Sequence, residues 1–433
     1  MSQDTIFALA TGAGRAAVAI IRISGPQVGF CLRSLIGQIP VARQAVLKTL
    51  QAQDGPIDQA LVLYFPAPQS FTGEDVAELH IHGSQAVISR LLSELGRFPE
   101  CRMAEAGEFS KRALINGKFD LSHIEGLIDL IDSETEMQRK QALRQMQGFL
   151  SDQVTAWRRS LLQVMALVES QIDFSDEGDV SSVELEQIVE RIKTLITSLQ
   201  DALESSNAGI RLREGLAMIV AGPPNAGKSS LVNYLARKDV AIVSAFAGTT
   251  RDLIEVPLQL DGMPITLIDS AGLRDSQDPI EQEGIKRALA RAKQADFGLW
   301  LTAPDQTDLP PEGPEWIFVK TKADLHPTQT GDGLSISLHD GSGLDLLLDR
   351  LKSEARKRFG SGSSLVTRER QRLALDHAVQ SLFRALDRLK DGSSLELAAE
   401  DLRLAGRDLG SVIGVVGVEA MLDHLFAEFC IGK

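Results

Sequence analysis

Gly222-Pro-Pro-Asn-Ala-Gly-Lys-Ser-Ser230, GPPNAGKSS, decides how the middle of this chain folds. It has the spacing G-x-x-x-x-G-K-[ST]. An apolar run, LAMIVA (216–221), stands before it, and SLVNYLA (230–236) follows as the opening of a helix. Strand, glycine-rich loop and helix in that order bring backbone N–H groups around a phosphate at a helix N-terminus. Lys228 is then placed to reach the β- and γ-phosphates, and Ser229 to hold Mg²⁺. Asn225, Ala226, Gly227 and Ser230 complete the expected cradle. A chance glycine-rich turn would explain neither the strand before the loop nor the helix after it.

The reading extends outward in both directions. ITLIDSAG (265–272) is another apolar run, closed by Asp269-Ser270-Ala271-Gly272, the place of a loop that senses Mg²⁺ and the γ-phosphate. WIFVK (316–320) leads into Thr321-Lys322-Ala323-Asp324. A carboxylate there accepts two hydrogen bonds from guanine N1–H and the 2-amino group, a pair that adenine does not offer. The Lys322 stem is expected over the base face, and Ser337, Leu338 and His339 where a base-closing loop would follow. Phosphate loop, D-x-x-G and then [NT]-K-x-D is the order of a GTPase. Thr321 stands where Asn is usual, a change expected to lower GTP affinity. Leu273 occupies the place where Ras-like enzymes carry the glutamine that orients water. Another group must take that task, and Glu281 is a candidate, although a solvated surface carboxylate is the plainer reading. A second cation could replace an arginine finger. Asn225 offers it a carbonyl oxygen, and the loop Ser244, Ala245, Phe246, Ala247, Gly248, Thr249 and Thr250 offers hydroxyl and backbone oxygens, with Thr250 as second Mg²⁺ ligand.

Three textures organise the 433 residues. Residues 1–118 carry β-rich pieces, AVAIIRISG, QALVLYFPAP and DVAELHIHG, and one helical stretch with Val87, Leu91, Leu92 and Leu95 at helical spacing. Residues 119–214 read as helices, one with a stripe of Trp157, Leu161, Met165, Val168 and Ile172. Residues 215–354 alternate apolar strands and helices, as a doubly wound sheet does, and residues 355–433 return to helix, with Ser393 and Glu396 at capping-box spacing. The expected architecture is multidomain, α+β and α/β: a β-rich N-terminal domain, then a helical domain interrupted by an inserted P-loop, Ras-like G domain.

Hydrophobic residues make up 43% and charged residues 24%, ordinary values for a globular protein with several cores. A formal charge of −14 excludes a surface that attracts nucleic acid everywhere, so any RNA contact needs a local basic face or a partner. The start shows no basic leader with an apolar run, and no stretch reaches the roughly 18 apolar residues of a membrane helix. Cys31, Cys101 and Cys430 form no disulfide framework and show no metal spacing, which fits a cytoplasmic, reduced protein. Cys430, in the terminal FCIGK, has two readings: a buried small thiol, or a reactive thiol at a site. His80 and His82 point to one face of a strand, where packing or a pocket wall fits better than a metal.

Taken together, GRAAVAIIRISGP (14–26), FTGEDVAELHIHG (71–83), EAGEFSKRALINGKFDLSHIEGLIDLI (105–131), GPPNAGKSSLVNYLA, AGTTRD, DSAGLR and the terminal CIGK resemble the MnmE (TrmE) family of tRNA modification GTPases over essentially the whole chain. The resemblance implies a folate-binding-like N-terminal domain that drives a homodimer. It implies K⁺ at Asn225, Ser244, Phe246 and Thr249, Mg²⁺ at Ser229 and Thr250, and Glu281 positioning water for GTP hydrolysis to GDP. It places a folate, 5-formyl- or methylene-tetrahydrofolate, on Arg22, Glu78, Lys118 and Lys433. It makes Cys430 a thiol of the tRNA-modifying site. The flavoprotein MnmG is the implied partner, and a carboxymethylaminomethyl-type group at C5 of the tRNA wobble uridine the implied product. Ala245 stands where the family often has Asp, which is expected to loosen K⁺. The rival is an RNA- or ribosome-assembly GTPase switch, which would need neither the folate-like half nor CIGK.

Overall fold

The computed structural model describes residues 4–173, 182–237, 255–269, 295–304, 306–325, 334–360, 364–391 and 394–415. They form two compact units, one within 1–128, 151–158 and 406–433, the other within 129–150 and 159–405.

The first unit is built on a six-stranded sheet in the order β3-β4-β5-β2-β1-β6. Its strands are β1 (Thr5–Leu9), β2 (Val18–Ser24), β3 (Val46–Ala52), β4 (Gly55–Phe65), β5 (Val76–His82) and β6 (Cys101–Met103). Alternation explains the faces. Ala19, Ile21 and Ile23 of β2 and Leu79 and Ile81 of β5 are buried, and pack with Val28, Leu32 and Leu35 of α1 (Val28–Ile36) and Ile88, Leu91 and Leu95 of α2 (Gln85–Leu95). Removing each such Val, Leu or Ile side chain from water contributes about 1.5–3 kcal/mol. The opposite face keeps Arg22, Glu78 and His80, with Arg22 directly across from Glu78 in the β2–β5 register. Ser84 caps α2, its hydroxyl accepting from the Val87 N–H at 3.2 Å. Two more helices follow, α3 (Glu108–Ile115) and α4 (Leu121–Ile131), whose last residues from Asp129 on belong to the second unit. Cys31 and Cys101 are free thiols with their sulfurs 3.6 Å apart, a proximity that their spacing of seventy residues conceals.

The second unit holds α5 (Glu136–Met146), α7 (Ser182–Glu204), α8 (Ser206–Glu214) and, beyond the α/β layer, α11 (Glu369–Asp391), which packs along α7. Two long helices, α6 (Phe149–Asp173) and α12 (Leu395–Val412), contribute to both units. The buried stripe of α6 is Val154, Trp157, Leu161, Val164 and Val168, so Val164 replaces the expected Met165. Two successive steps of four residues drift off one helix face, whereas alternating steps of three and four stay on it. At the start of α12 the Ser394 hydroxyl accepts from the Leu397 N–H at 3.3 Å; Ser393, expected as the cap, lies outside the described residues.

The α/β layer is a six-stranded sheet in the order β12-β11-β10-β7-β9-β8. The strands are β7 (Leu216–Ala221), β8 (Glu255–Leu260), β9 (Met263–Asp269), β10 (Phe297–Thr302), β11 (Trp316–Lys320) and β12 (Leu334–Ser335), all parallel to their neighbours except the β8–β9 hairpin. Strands buried on both faces read as continuous apolar runs. Met218, Val220, Leu267, Leu299 and Leu301 accordingly pack against Leu231 and Leu235 of α9 (Lys228–Arg237) and Leu347, Leu351 and Phe359 of α10 (Leu344–Phe359). β7 is central, with β9 on one side and β10 on the other. The strand order reverses there, and ligands of such sheets bind beyond the strand ends at that reversal. Among the described residues no helix is long and apolar enough to cross a membrane.

Candidate functional site

The loop after β7 lies at the reversal. Gly222 has φ 149°, and a Cβ there would stand 2.2 Å from the Leu301 carbonyl oxygen, so only glycine lets the chain turn against β10. Asn225 takes φ 63°, a left-handed conformation that Asn tolerates better than most residues, and its side chain is exposed at the loop tip. The Lys228 ammonium donates to the carbonyls of Gly222 at 2.8 Å and Pro223 at 2.9 Å, spanning the loop from the first turn of α9. Ser229 and Ser230 are exposed beside it. This is an open cradle at a helix N-terminus carrying one cation, the chemistry of a phosphate site.

The loop is braced from the neighbouring strand ends. The buried Thr321 hydroxyl lies 2.9 Å from the Ala226 carbonyl, to which it donates, and 3.3 Å from that of Thr302. The Gln306 amide donates to the Pro224 carbonyl at 2.8 Å, a brace with no signal in the sequence. The hydroxyl of Thr321 thus ties the end of β11 to the phosphate loop. Lys322 follows with φ 57°, turning the chain into the short 3₁₀ turn of Ala323–Leu325. The buried Ser337 hydroxyl donates to Asp324 Oδ1 at 2.7 Å, and the Ala323 N–H donates to the Ile336 carbonyl at 3.1 Å. Ser337 also accepts from the N–H groups of His339 and Asp340 at 3.2 and 3.4 Å. The backbone N–H of Ser342, which donates to Asp340 Oδ1 at 2.9 Å, holds the Asp340 carboxyl below the usual carboxylate range and braces that turn. Leu338 packs on the α/β core and His339 is exposed. Phosphate loop, Thr321–Asp324 and Ser337–His339 are therefore one constellation. Asp269 ends β9 next to Val220, one strand away from the loop. Ser244, Ala245, Phe246, Ala247, Gly248, Thr249, Thr250, Ser270, Ala271, Gly272, Glu281, Cys430 and Lys433 lie outside the described residues.

The first unit carries a second cluster. Arg22 donates from Nε and Nη2 to Glu78 Oε1 at 3.1 and 3.0 Å. Its guanidinium lies 5.2 Å from the Phe71 ring centroid and 5.8 Å from that of Phe109. The His80 ring nitrogen stands 3.5 Å from the other Glu78 oxygen. Lys118 is placed apart, donating to the Pro68 carbonyl at 3.0 Å, although Phe71 and Pro68 belong to one short segment. Phe71 and Phe109 were legible only as members of quoted motifs, because ring-on-guanidinium stacking leaves no spacing signature.

Two family profiles match this chain. Residues 5–118 match the GTP-binding protein TrmE N-terminus, and residues 121–430 match the MnmE helical domain. The chain belongs to the MnmE family. Among similar relatives, the tRNA modification GTPase MnmE of Bradyrhizobium sp. (strain ORS 278) is 49% identical over 100% of this chain and 99% of its own length. That of Beijerinckia indica subsp. indica is 50% identical over 99% of this chain and 96% of its own length. The G domain of the T. maritima FeoB iron transporter, 22% identical with a TM-score of 0.22, aligns with 34% of this chain and 99% of that domain.

For this MnmE chain, Thr321→Ala leaves the Ala226 carbonyl without its donor, and a lost buried hydrogen bond costs about 1–2 kcal/mol. GDP affinity is expected to fall about tenfold, and Thr321→Asn to restore most of it. Titration with a fluorescent GDP analogue measures both; unchanged affinity in Thr321→Ala would mean that the brace is idle.

Proposed function

We propose that this chain is a GTP hydrolase acting in tRNA modification. The observation that carries the reading is the braced phosphate loop joined through Thr321 to a carboxylate, Asp324, held by Ser337. A preorganised cradle with a fixed hydrogen-bond acceptor at the base end suits a guanine nucleotide and not merely any phosphate. Full-length identity near one half to relatives named tRNA modification GTPase MnmE supports the biological setting.

The finer reading follows the resemblance. Mg²⁺ would be held by Ser229 and Thr250, and K⁺ by Asn225 with the oxygens of Ser244, Phe246 and Thr249. The exposed Asn225 side chain at the loop tip suits such a cation, because its amide carbonyl is an oxygen donor of the kind hard cations take. The cations supply charge neutralisation on the transferring phosphoryl group, and Glu281 positions water. In the first unit, Arg22 stacked by Phe71 and Phe109 suits an anionic or planar ligand such as a tetrahydrofolate, with Glu78 accepting from its N–H groups. The chain works as a homodimer with a flavoprotein of the MnmG kind, and the product is a carboxymethylaminomethyl-type wobble uridine.

The test is GTP turnover in KCl and in NaCl at equal ionic strength, for the protein and for Glu281→Ala. Turnover is expected to be at least tenfold faster in KCl and to fall about a hundredfold in the variant, the scale of a lost water-positioning group. Equal rates in both salts would remove the K⁺ assignment, and an active Glu281→Ala would remove the role given to that residue.

A further inference from the structure

Cys31 and Cys101 meet inside the first unit, and nothing in the nucleotide site uses them. Cys31 lies on α1 with no surface exposed, in one core cluster with Leu32, Leu35 and Leu95. Cys101 opens β6 and is half-buried, so the pair has one closed and one more open member. Their sulfurs stand 3.6 Å apart. Most free cysteines are small apolar fillers, and Cys31 alone would be one. Two features set this pair apart. The first is the contact itself, since sulfurs that touch need only a small approach to bond. The second is asymmetry. A hydrogen bond from the Cys31 thiol holds Cys101 below the usual thiol range, although burial and the nearby Glu100 charge work the other way. The same bond, together with burial, pushes the Cys31 thiol up. The thiolate is the reactive form, so attack begins at Cys101, and Cys31 stands behind it as the resolving partner.

β6 gives a bond between them something to hold. The strand has three residues and lies at the edge of the sheet, paired only with β1 among the described residues. Its middle residue, Arg102, donates to both carboxylate oxygens of Glu108 on α3 at 2.8 and 2.6 Å, and Arg112 of α3 donates to the same carboxylate at 3.0 Å. A short edge strand thus anchors the start of α3. A bond from Cys101 to Cys31 would join residues 70 positions apart and fasten that strand to α1. Closing so long a loop stabilises a domain chiefly by restricting its unfolded chain.

We propose that Cys31 and Cys101 form a site of reversible oxidation by hydroperoxides, closing as a disulfide that clasps β6 to α1. The Cys101 thiolate attacks a peroxide oxygen. The O–O bond breaks, the departing oxygen takes up a proton, and Cys101 becomes a sulfenic acid. The Cys31 sulfur then attacks the Cys101 sulfur. The Cys31 proton and the sulfenic hydroxyl leave as water, and the S–S bond forms. Two electrons have passed from the thiol pair to the peroxide, and a small dithiol returns them by exchange. In a reducing compartment such a bond is transient, which suits a sensor of oxidant and not a permanent staple.

The test uses the full chain, reduced, freed of reductant and treated with hydrogen peroxide, then denatured, alkylated and digested for mass spectrometry. The expected product is a pair of peptides joined through Cys31 and Cys101, formed in most of the protein and reversed by dithiothreitol. Hydrogen exchange over 100–104 slows about tenfold on oxidation, and the melting temperature rises by about 5 °C or more. In Cys31→Ala, dimedone traps a sulfenic acid at Cys101; in Cys101→Ala, Cys31 is labelled about tenfold less. The site is overturned if both thiols stay open to alkylation after peroxide, or if either pairs mainly with Cys430. The clasp is overturned if the joined form melts no higher than the reduced one. These outcomes are read on the unaltered protein, so a variant that fails to fold does not shield the proposal.

Discussion

Asp324→Asn should exchange guanine for xanthine. The carboxylate is an acceptor only, and in the proposed pose it takes both the N1–H and the 2-amino N–H of guanine. An amide keeps one acceptor and brings a donor, which meets the 2-amino group donor to donor. Two hydrogen bonds to a charged group, each contributing about 1.5–3 kcal/mol, are thereby lost or inverted, so GTP affinity falls by about a thousandfold or more. Xanthine carries an oxygen at C2 and pairs with the amide in both directions. Turnover of xanthosine triphosphate should therefore appear as that of GTP vanishes. Ser337 makes the result sharp, because its hydroxyl holds Asp324 Oδ1 at 2.7 Å and fixes the direction of the acceptor. Competition titrations with GDP and xanthosine diphosphate decide it. Retained GTP preference in the variant would place the base elsewhere.

Lys228→Ala should abolish hydrolysis. The ammonium spans the loop to the Gly222 and Pro223 carbonyls, and from the same position it would reach the β- and γ-phosphates. Removing it deletes the cation of the cradle and takes the Lys228 donor away from two carbonyls. Charge-assisted bonds to phosphate contribute about 1.5–3 kcal/mol each, so GTP affinity drops about a hundredfold, and turnover drops further because charge grows on the phosphates in the transition state. Equilibrium titration followed by single-turnover kinetics separates the two losses. Lys228→Arg keeps the charge but not the compact ammonium, and is expected to recover little. Normal turnover in Lys228→Ala would remove the loop from the reaction.

What could be read from the sequence is what the local chain dictates. Gly222, Asn225 and Gly227 announce a loop because their backbone needs are local, and the apolar runs of β7 and β9 announce buried parallel strands because both faces are covered. The tie of Thr321 to the Ala226 carbonyl, 95 residues away, left no sign in the sequence. The contact of Cys31 with Cys101, 70 positions apart, left none either, since each thiol depends on a distant partner. β3 escaped notice because a half-exposed strand, VLKTLQA, shows no clean alternation. In α6 the face was found but its register slipped by one residue at Val164, since a stripe drawn in steps of four departs slowly from the true one.

Gln306 and Thr321 have a consequence for how a nucleotide arrives. Fixing one residue's backbone costs about 1–2 kcal/mol of conformational entropy, so a slack loop from Gly222 to Ser230 would charge a newcomer heavily for its own ordering. Here side chains from the ends of two other strands grip Pro224 and Ala226, so folding of the sheet settles that cost before any ligand comes. Capture then resembles docking onto a rigid die more than wrapping, and encounter frequency, rather than loop rearrangement, sets its speed.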